Sequence, residues 1–351
     1  MTAPDRITPE SRLALLMHGH LRDSNGKMGF GLLRYSTATV TCVIAAEEAG
    51  GDLREIAGID SDVPIVSNAT QAASLGADVL VIAVATTGGI LPPGYRDDIV
   101  AGLDRGMSLV NGLHGTYAED AEFAAALRPG AFIWDIRREP DDLSAARGAA
   151  RQLDCRRVLT VGSDMAVGKM TTSLELDRGA RERGLRSKFI ATGQIGIAIS
   201  GDGVPLDAIR VDFAPGSVEA LCLRYGPDHD VLWVEGQGSI LHPGSSAWLA
   251  TLRGSMATDL VLVHRPGQQT LDELDDFVIP PLPEIIALYE AVASPTRSYP
   301  PARVRAIALN GSHLTDDDVA RAVEEITDLT GLPTADPVRQ GADDLLDAIF
   351  T

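Results

Sequence analysis

The chain has 351 residues, of which 45% are hydrophobic and 23% charged, and its formal net charge at pH 7 is −19. This composition is typical of a folded globular protein, and the length suits two domains because single domains cluster near ~100–200 residues. The negative charge argues against nucleic acid or an anionic membrane surface as a partner, since both would repel the chain. We therefore expect a small-molecule substrate, no nucleic acid and no membrane partner.

Three cysteines, Cys42, Cys155 and Cys222, are widely separated and form neither a disulfide framework nor a zinc-ligand pattern. The N-terminal residues lack the basic and then apolar pattern of an export signal, and no apolar run reaches the ~20 residues of a membrane helix. These features predict a cytoplasmic protein. We also expect a homo-oligomer.

Apolar runs alternate with helical patterns in the N-terminal part, which predicts an α/β fold with a parallel sheet. Between Asn68 and Gly76 we predict a capped helix, followed by a strand that runs into Thr86-Thr87-Gly88-Gly89. Such a loop would lie at the carboxyl edge of the sheet, where open α/β sheets bind ligands. The strands are predicted at 13–17, 40–45, 64–66, 79–85, 108–110 and 132–136.

A stretch with a proline and a charge cluster, 137–157, separates two strongly apolar strands, so we predict domains at 1–150 and 151–351. The second domain repeats the alternation of strands and helices. Its strands are predicted at 158–161, 187–192, 231–235, 260–264 and 304–309, and its helices at 171–183, 283–293, 316–330 and within 333–351.

The most informative stretch is 158–172, where an apolar run breaks into a glycine-bounded loop that is followed by a lysine and two threonines. Glycines let backbone N–H groups converge on phosphate oxygens, the next helix contributes its positive end, and lysine reaches the terminal phosphates. Met170 stands where a metal-binding Ser or Thr normally follows the lysine. The alternative is a Gly-rich turn with a surface lysine. The predicted cofactor-binding residues are Gly162, Ser163, Asp164, Ala166, Val167, Gly168, Lys169, Met170, Thr171 and Thr172.

A second motif, 231–243, is an apolar strand that ends in Glu235 and a Gly-x-Gly turn. A carboxylate there can hold Mg²⁺ against phosphate oxygens, so Thr171 and Glu235 are the predicted metal ligands if a magnesium nucleotide binds. The alternative is an acid that caps the next turn. Thr192, Gln194 and Gln237 are predicted to line the same site and to contact the substrate.

Several further residues could take part in catalysis or substrate binding. His18, His20 and His114 follow apolar strands, and an imidazole titrates near neutral pH, so one of them could deprotonate an attacking amine, with His114 and His18 ahead of His20. His242 and Glu235 are the other catalytic candidates. Basic side chains that could grip a substrate carboxylate are Lys27, Arg34 and Arg339, although most such residues are solvated surface residues.

The loop 162–169 resembles the phosphate loop of dethiobiotin synthetase and cobyrinic acid amide synthases, which share its five-residue spacing and the Asp at position 164. The Glu235-Gly-x-Gly turn is similar to theirs as well. Asn310, which ends Ile307-Ala-Leu-Asn310, is similar to the strand-ending Asn that such folds present to adenine. This resemblance implies that Asn310 also contacts the cofactor.

Four motifs across nearly the whole chain resemble a bacterial family of proteins, largely of unknown function, that includes D-glutamate N-acetyltransferase. The motifs run from Lys27 to Tyr35, from Gly162 to Thr172, from Glu235 to Pro243 and from Gly331 to Arg339. The resemblance implies a Rossmann-like N-terminal domain followed by a P-loop NTPase-like domain with a mainly parallel sheet. It also implies acetyl transfer to a D-amino acid as a candidate activity.

Three hypotheses for function follow. The first is an N-acyltransferase that binds the phosphates of acetyl-CoA on the loop and acetylates a small acidic amino acid such as D-glutamate. The second is an enzyme that uses ATP and Mg²⁺ to activate a carboxylate, as a kinase or amide ligase. The third is a nucleotide-binding regulatory protein without turnover.

Overall fold

The computed structural model describes residues 6–351, and its strands and helices alternate along most of the chain. The strands are β1 (Arg12–Leu16), β2 (Thr39–Ile44), β3 (Ile65–Val66), β4 (Val79–Ile82), β5 (Ser108–Asn111), β6 (Ile133–Asp135), β7 (Arg156–Gly162), β8 (Ser187–Ile190), β9 (Val231–Val234), β10 (Asp259–His264), β11 (Thr270–Leu271), β12 (Leu274–Val278), β13 (Arg303–Leu309) and β14 (Thr334–Ala335). The α-helices are α1 (Lys27–Tyr35), α2 (Leu53–Ala57), α3 (Ala69–Ser74), α4 (Tyr95–Asp104), α5 (Ala121–Ala126), α6 (Lys169–Glu182), α7 (Gln194–Ser200), α8 (Ala214–Tyr225), α9 (Ala247–Ser255), α10 (Leu282–Ala293), α11 (Asp316–Thr330) and α12 (Asp343–Phe350).

The chain divides into two compact units. The first contains residues up to Arg138 together with Gln194–Ala208, and the second contains Glu139–Gly193 and Ile209–Thr351. The chain therefore passes from one unit to the other near residue 138 and again on either side of 194–208. The single domain boundary near residue 150 stays a prediction.

The first unit is built on a parallel sheet with the strand order β3-β2-β1-β4-β5-β6. The chain runs outward from β1 to β3 and then resumes at β4 on the other side of β1, so the loops after β1 and β4 flank the topological switch point. Strand residues such as Leu16, Ile44 and Ile82 pack with buried residues of α3 and α4. Helix α7 packs against α1 within this unit.

The second unit is built on another parallel sheet, with the order β14-β13-β10-β7-β9-β8. Its core joins β7, β9, β10 and β13 to α6 and α12, with Trp233 fully buried among them. The central position of β7 places the loop after it at the carboxyl edge of the sheet, between its neighbours β10 and β9.

Most of the predicted elements recur within a few residues, and the predicted α/β fold of two parallel sheets is confirmed. Helix α11 has the predicted bounds, and Asn68 caps α3 by accepting from the Gln71 N–H. Helices α7, α8 and α9 and the antiparallel pair β11–β12 were not predicted. Within residues 6–351, every helix is too short or too polar to cross a lipid bilayer.

Candidate functional site

The loop after β7 presents a run of unpaired backbone donors. Gly168 adopts the left-handed conformation (φ 109°) directly before α6, and no side chain caps this helix. Within the described part of the chain, no protein acceptor contacts the N–H groups of residues 166–171. Consecutive N–H groups at a helix N-terminus form a cradle for an anion, because their partial positive charges converge on one point.

Lys169 brings the one formal positive charge of the loop to this cradle. Its side chain is buried and its Nζ donates to the Asp164 carbonyl oxygen at 2.9 Å. Burial lowers the pKa of Lys169 to about 8, although the nearby carboxylates of Asp164 and Glu235 act in the opposite direction. A Cβ at Gly162 would lie 2.5 Å from the Asp164 carbonyl oxygen, which accepts from the Lys169 Nζ, so the loop requires glycine there.

Asp164 shapes the loop through its carboxylate. One oxygen accepts from the Met165 N–H, and the other accepts from the Gln268 side chain at 2.6 Å and the Asp272 N–H at 2.7 Å. The residue is fully buried. With both oxygens bonded to the protein, Asp164 fastens the loop to the segment of β11 and β12. Its direct contact with a cofactor stays a prediction, which this geometry does not favour.

Three side chains that the sequence analysis did not single out also hold the loop. The Gly162 carbonyl oxygen accepts from the Tyr289 hydroxyl at 2.9 Å and from the Ser239 hydroxyl at 3.3 Å. The Ser163 hydroxyl lies 2.9 Å from Nδ1 of His264, whose pKa burial lowers to about 4. His264 ends β10 at the same edge of the sheet, and this position was the one signal that could have revealed it.

The Glu235-Gly236 turn after β9 packs directly on β7 and α6. The Gly236 N–H donates to the Thr160 hydroxyl at 3.1 Å, and that hydroxyl also pairs with Ser173 of α6. A Cβ at Gly236 would lie only 1.8 Å from the Thr160 carbonyl oxygen and 3.2 Å from the Lys169 Cδ. Glycine is therefore required for the turn to approach the lysine so closely.

Glu235 is a buried carboxylate held by backbone donors. Its Oε2 accepts from the Thr192 N–H at 2.8 Å and from the Gly193 N–H at 3.1 Å. Burial raises the pKa of Glu235 to about 7, although these N–H groups and the charge of Lys169 act in the opposite direction. Gln237 lies against Gly193 beside it. The predicted neighbours Thr192, Glu235 and Gln237 are thus brought together.

The oxygen atoms that Glu235 and Thr171 offer at this site suit a magnesium ion that is bound mainly by phosphate oxygens. Thr171 is half-buried in the first turn of α6, and among residues 6–351 no bond to its hydroxyl is found. Mg²⁺ keeps several waters and commonly takes only one or two carboxylates from the protein. No group of three or more His, Cys, Asp or Glu side chains suited to a metal occurs in that range. Glu235 and Thr171 would be the residues that hold such an ion.

Asn310 and Arg339 lie on the far side of the loop, after β13 and β14. The Asn310 amide lies against Gly168, 3.4 Å from the place where a Cβ would stand. Asp336 holds this turn by accepting from the Gly311 N–H at 3.0 Å. Arg339 donates to Asp316 and to the Leu314 carbonyl oxygen, both at 2.8 Å, so it stabilises the same loops. Its predicted role in substrate binding stays a prediction.

His242 belongs to the second unit as well. Its ring Nδ1 accepts from the Gly244 N–H at 3.1 Å, and its backbone N–H donates to the Ser239 carbonyl oxygen. Ser239 in turn contacts the Gly162 carbonyl oxygen. His242 is therefore connected to the phosphate loop through a single residue.

The remaining predicted residues belong to the first unit, where His18 has both ring nitrogens engaged. Nδ1 accepts from the Ala46 N–H at 3.0 Å, and Nε2 lies 2.9 Å from the Asp98 carboxylate. A histidine in this arrangement has no nitrogen left to accept a proton from a substrate. The geometry therefore does not favour the predicted role of His18 as a base. His20 is engaged in a similar way, since its Nδ1 lies 2.8 Å from the Asp23 carboxylate.

His114 is exposed, and its accepting nitrogen is engaged by Arg137. Its Nε2 contacts the Arg137 Nη1, and because a guanidinium only donates, Nε2 is the unprotonated nitrogen. Gln194 lies beside Gly112, which precedes His114 by two residues. Lys27 and Arg34 are exposed on α1.

These features define a two-domain α/β protein with a Rossmann-like unit and a P-loop unit that carries an anion-binding loop. Profiles of the DUF1611 C-terminal P-loop domain and the DUF1611 N-terminal Rossmann-like domain, both described as domains of unknown function, match residues 144–346 and 46–139. The chain belongs to the DUF1611 family.

Similar proteins agree with this assignment. A D-glutamate N-acetyltransferase of Tritonibacter scottomollicae is 36% identical over 281 residues, which cover 80% of this chain and 83% of that protein. One of a Pseudoalteromonas species is 33% identical, with 79% and 82% covered. The crystal structure of a DUF1611 family protein from Anabaena variabilis is 51% identical, with a TM-score of 0.92 over 97% of this chain and 99% of that one.

Proposed function

We propose that the protein is an N-acetyltransferase that moves the acetyl group of acetyl-CoA to the amine of a small acidic amino acid such as D-glutamate. The relatives that carry this activity in their names support the reaction class. The observation that carries the cofactor assignment is the loop itself, because the free N–H groups of 166–171 and the Lys169 ammonium group suit a diphosphate. Coenzyme A needs neutralisation of its phosphates but no attack at phosphorus, which agrees with Met170 in place of a metal-binding hydroxyl.

In this reaction the substrate amine attacks the thioester carbonyl, a C–N bond forms, and the C–S bond breaks to release coenzyme A. The substrate ammonium group must first lose a proton, and exposed His114 remains the proposed acceptor, which would exchange the contact of its Nε2 with Arg137 for one with the substrate. Lys27 and Arg34 remain proposed contacts for the substrate, as do Thr192, Gln194, Gln237 and Arg339. His242 and Asn310 remain proposed contacts at the phosphate loop.

Glu235 favours a second candidate, an ATP- and Mg²⁺-dependent kinase or amide ligase. A buried carboxylate beside the phosphate loop can hold a cation, and Thr171 offers a hydroxyl in the first turn of α6. When bound, Mg²⁺ would neutralise phosphate oxygens during transfer. Glu235 and Thr171 would hold the ion at the loop.

A direct assay separates these candidates. The protein is mixed with D-glutamate and either acetyl-CoA or ATP with Mg²⁺, and free thiol and ADP are followed. Thiol release without nucleotide supports the transferase, and Mg²⁺-dependent ADP release supports the ligase. Neither product, with nucleotide binding retained, would contradict both and favour a nucleotide-binding regulator.

Lys169→Ala and Lys188→Ala form a matched pair for the cofactor site. Both remove one lysine, but Lys188 lies on β8 over the Tyr225 ring. We expect Lys169→Ala to weaken coenzyme A binding at least about tenfold and Lys188→Ala to leave it unchanged, since only Lys169 lies in the loop. Equal affinities of the two variants in calorimetric titration would exclude the loop as the phosphate site.

A further inference from the structure

Arg137 stands out among the cationic side chains of the first unit because it is largely buried at the carboxyl edge of the sheet. It follows β6 by two residues, and only 13% of its side chain is exposed. By contrast, the neighbouring Arg138 is 55% exposed and pairs with Glu119 at 2.8 Å. A buried guanidinium usually has a full set of partners, because leaving a charge without them is costly.

The partners of Arg137 are incomplete. Nη1 donates to the neutral ring of His114, which contributes no negative charge. Nε lies 3.2 Å from a carboxylate oxygen of Asp207, yet it is buried and makes no aligned hydrogen bond. Nη2 has no acceptor among residues 6–351, and unlike Nε it is not buried. Nη2 is therefore the donor of Arg137 that solvent can reach.

The surroundings of Arg137 are rigid and come from three neighbouring strand ends. After β4, Gly89 adopts φ 61°, and a Cβ there would lie 2.2 Å from the His114 ring, so glycine is needed for the imidazole to pack on this turn. At the end of β5, Asn111 fixes the loop by accepting from the Leu113 N–H and donating to Asp135 at 2.8 Å. The same Asp135, in β6, accepts from the Tyr117 and Ala118 N–H groups at 3.0 Å.

We propose that Arg137 binds the carboxylate of a small acidic substrate, with His114 beside it as the positioning group. A guanidinium fork pairs bidentately with a carboxylate, and it discriminates strongly when it is desolvated and held in place. Asp207, which is 42% exposed, occupies the Nε side of this fork as an internal carboxylate and is displaced by the substrate. The proposal rests on the proposed function for the identity of the substrate, and it adds a largely buried carboxylate contact to the exposed Lys27 and Arg34.

The test compares Arg137→Lys with Arg138→Lys, two adjacent substitutions that keep the charge and remove the fork. In the acetyl-transfer assay we expect Arg137→Lys to raise the KM for D-glutamate about tenfold or more, with the KM for acetyl-CoA unchanged. Arg138→Lys should behave as wild type. Equal shifts of both KM values in Arg137→Lys, or no shift in either, would overturn the proposal.

Direct titration of D-glutamate separates this proposal from the proposed function. If the wild-type protein acetylates nothing but binds D-glutamate, and Arg137→Lys weakens that binding while Arg138→Lys does not, Arg137 is a carboxylate site and the acetyltransferase proposal alone fails. If the wild type acetylates D-glutamate and Arg137→Lys retains its affinity for it, the Arg137 proposal alone fails. Thermal melting checks that Arg137→Lys is folded. A second variant, Asp207→Asn, should bind D-glutamate more tightly than the wild type because it removes the competing carboxylate. Weaker binding by Asp207→Asn would count against the proposal.

Discussion

Raising the pH from 7 to 9 should weaken the binding of coenzyme A about tenfold, because Lys169 loses its proton in this range. Burial lowers the pKa of Lys169 to about 8 from 10.5, so the ammonium group predominates at pH 7 and the neutral amine at pH 9. The charged fraction is about nine tenths at pH 7 and about one tenth at pH 9, which corresponds to ~1.4 kcal/mol of binding free energy. Well below pH 8 this group leaves the affinity unchanged. Above it, the affinity falls until the pH reaches the higher pKa of the phosphate-bound lysine.

Calorimetric titration of coenzyme A at pH 7, 8 and 9 measures this dependence. Lys169→Arg is the informative comparison, since a guanidinium stays protonated throughout the range. The slope of affinity against pH in Lys169→Arg reports the ionisation of the ligand and of all other groups. Lys188→Ala should retain the slope of the wild-type protein. A flat profile for the wild-type protein, or the same slope in Lys169→Arg, would refute the argument that burial of Lys169 controls anion affinity.

Two further predictions concern the stability of the site. Burial raises the pKa of Glu235 to about 7 from 4.5. Between these two pH values the folded protein retains a proton that the unfolded chain releases. The free energy of unfolding should therefore fall by on the order of 3 kcal/mol as the pH rises from about 4.5 to 7. Urea denaturation at several pH values should show that Glu235→Gln removes this fall; an unchanged slope would contradict the assignment. Tyr289→Phe removes a hydroxyl that donates to the Gly162 carbonyl oxygen and accepts from the Ile240 N–H, and it should lower the free energy of unfolding by ~1–3 kcal/mol and weaken coenzyme A binding. Tyr299→Phe, whose ring lies near Arg253, is the control, and equal effects of the two would argue against a specific role for the Tyr289 hydroxyl.

The phosphate loop could be predicted because its chemistry is local in sequence. Glycine spacing, the lysine and the apolar strand before them determine the backbone path within a few residues, and the structure has Gly168 in the left-handed conformation before α6. Helix α6 begins at Lys169, two residues before the predicted start, because this glycine ends the loop. The strand-ending acid Glu235 was found by the same local logic.

Contacts across long stretches of sequence could not be predicted in this way. Nothing around Tyr289 indicates that its hydroxyl reaches Gly162, which is 127 residues away. The pairing of His18 with Asp98, over 80 residues, likewise removes a nitrogen that the local pattern left available for catalysis. Helix α7 has the apolar, β-branched composition of a strand, and its packing against α1 overrides that preference.

The allocation of residues 194–208 to the first unit has a consequence for synthesis on the ribosome. Residues of this segment supply partners to the first unit, since Asp207 lies beside Arg137 and Gly201 approaches the Ile7 carbonyl oxygen. The N-terminal unit cannot complete its packing until the phosphate loop and its helix have already been translated. Neither unit corresponds to one continuous segment, so a nascent chain that stops short of residue 208 leaves both of them unfinished.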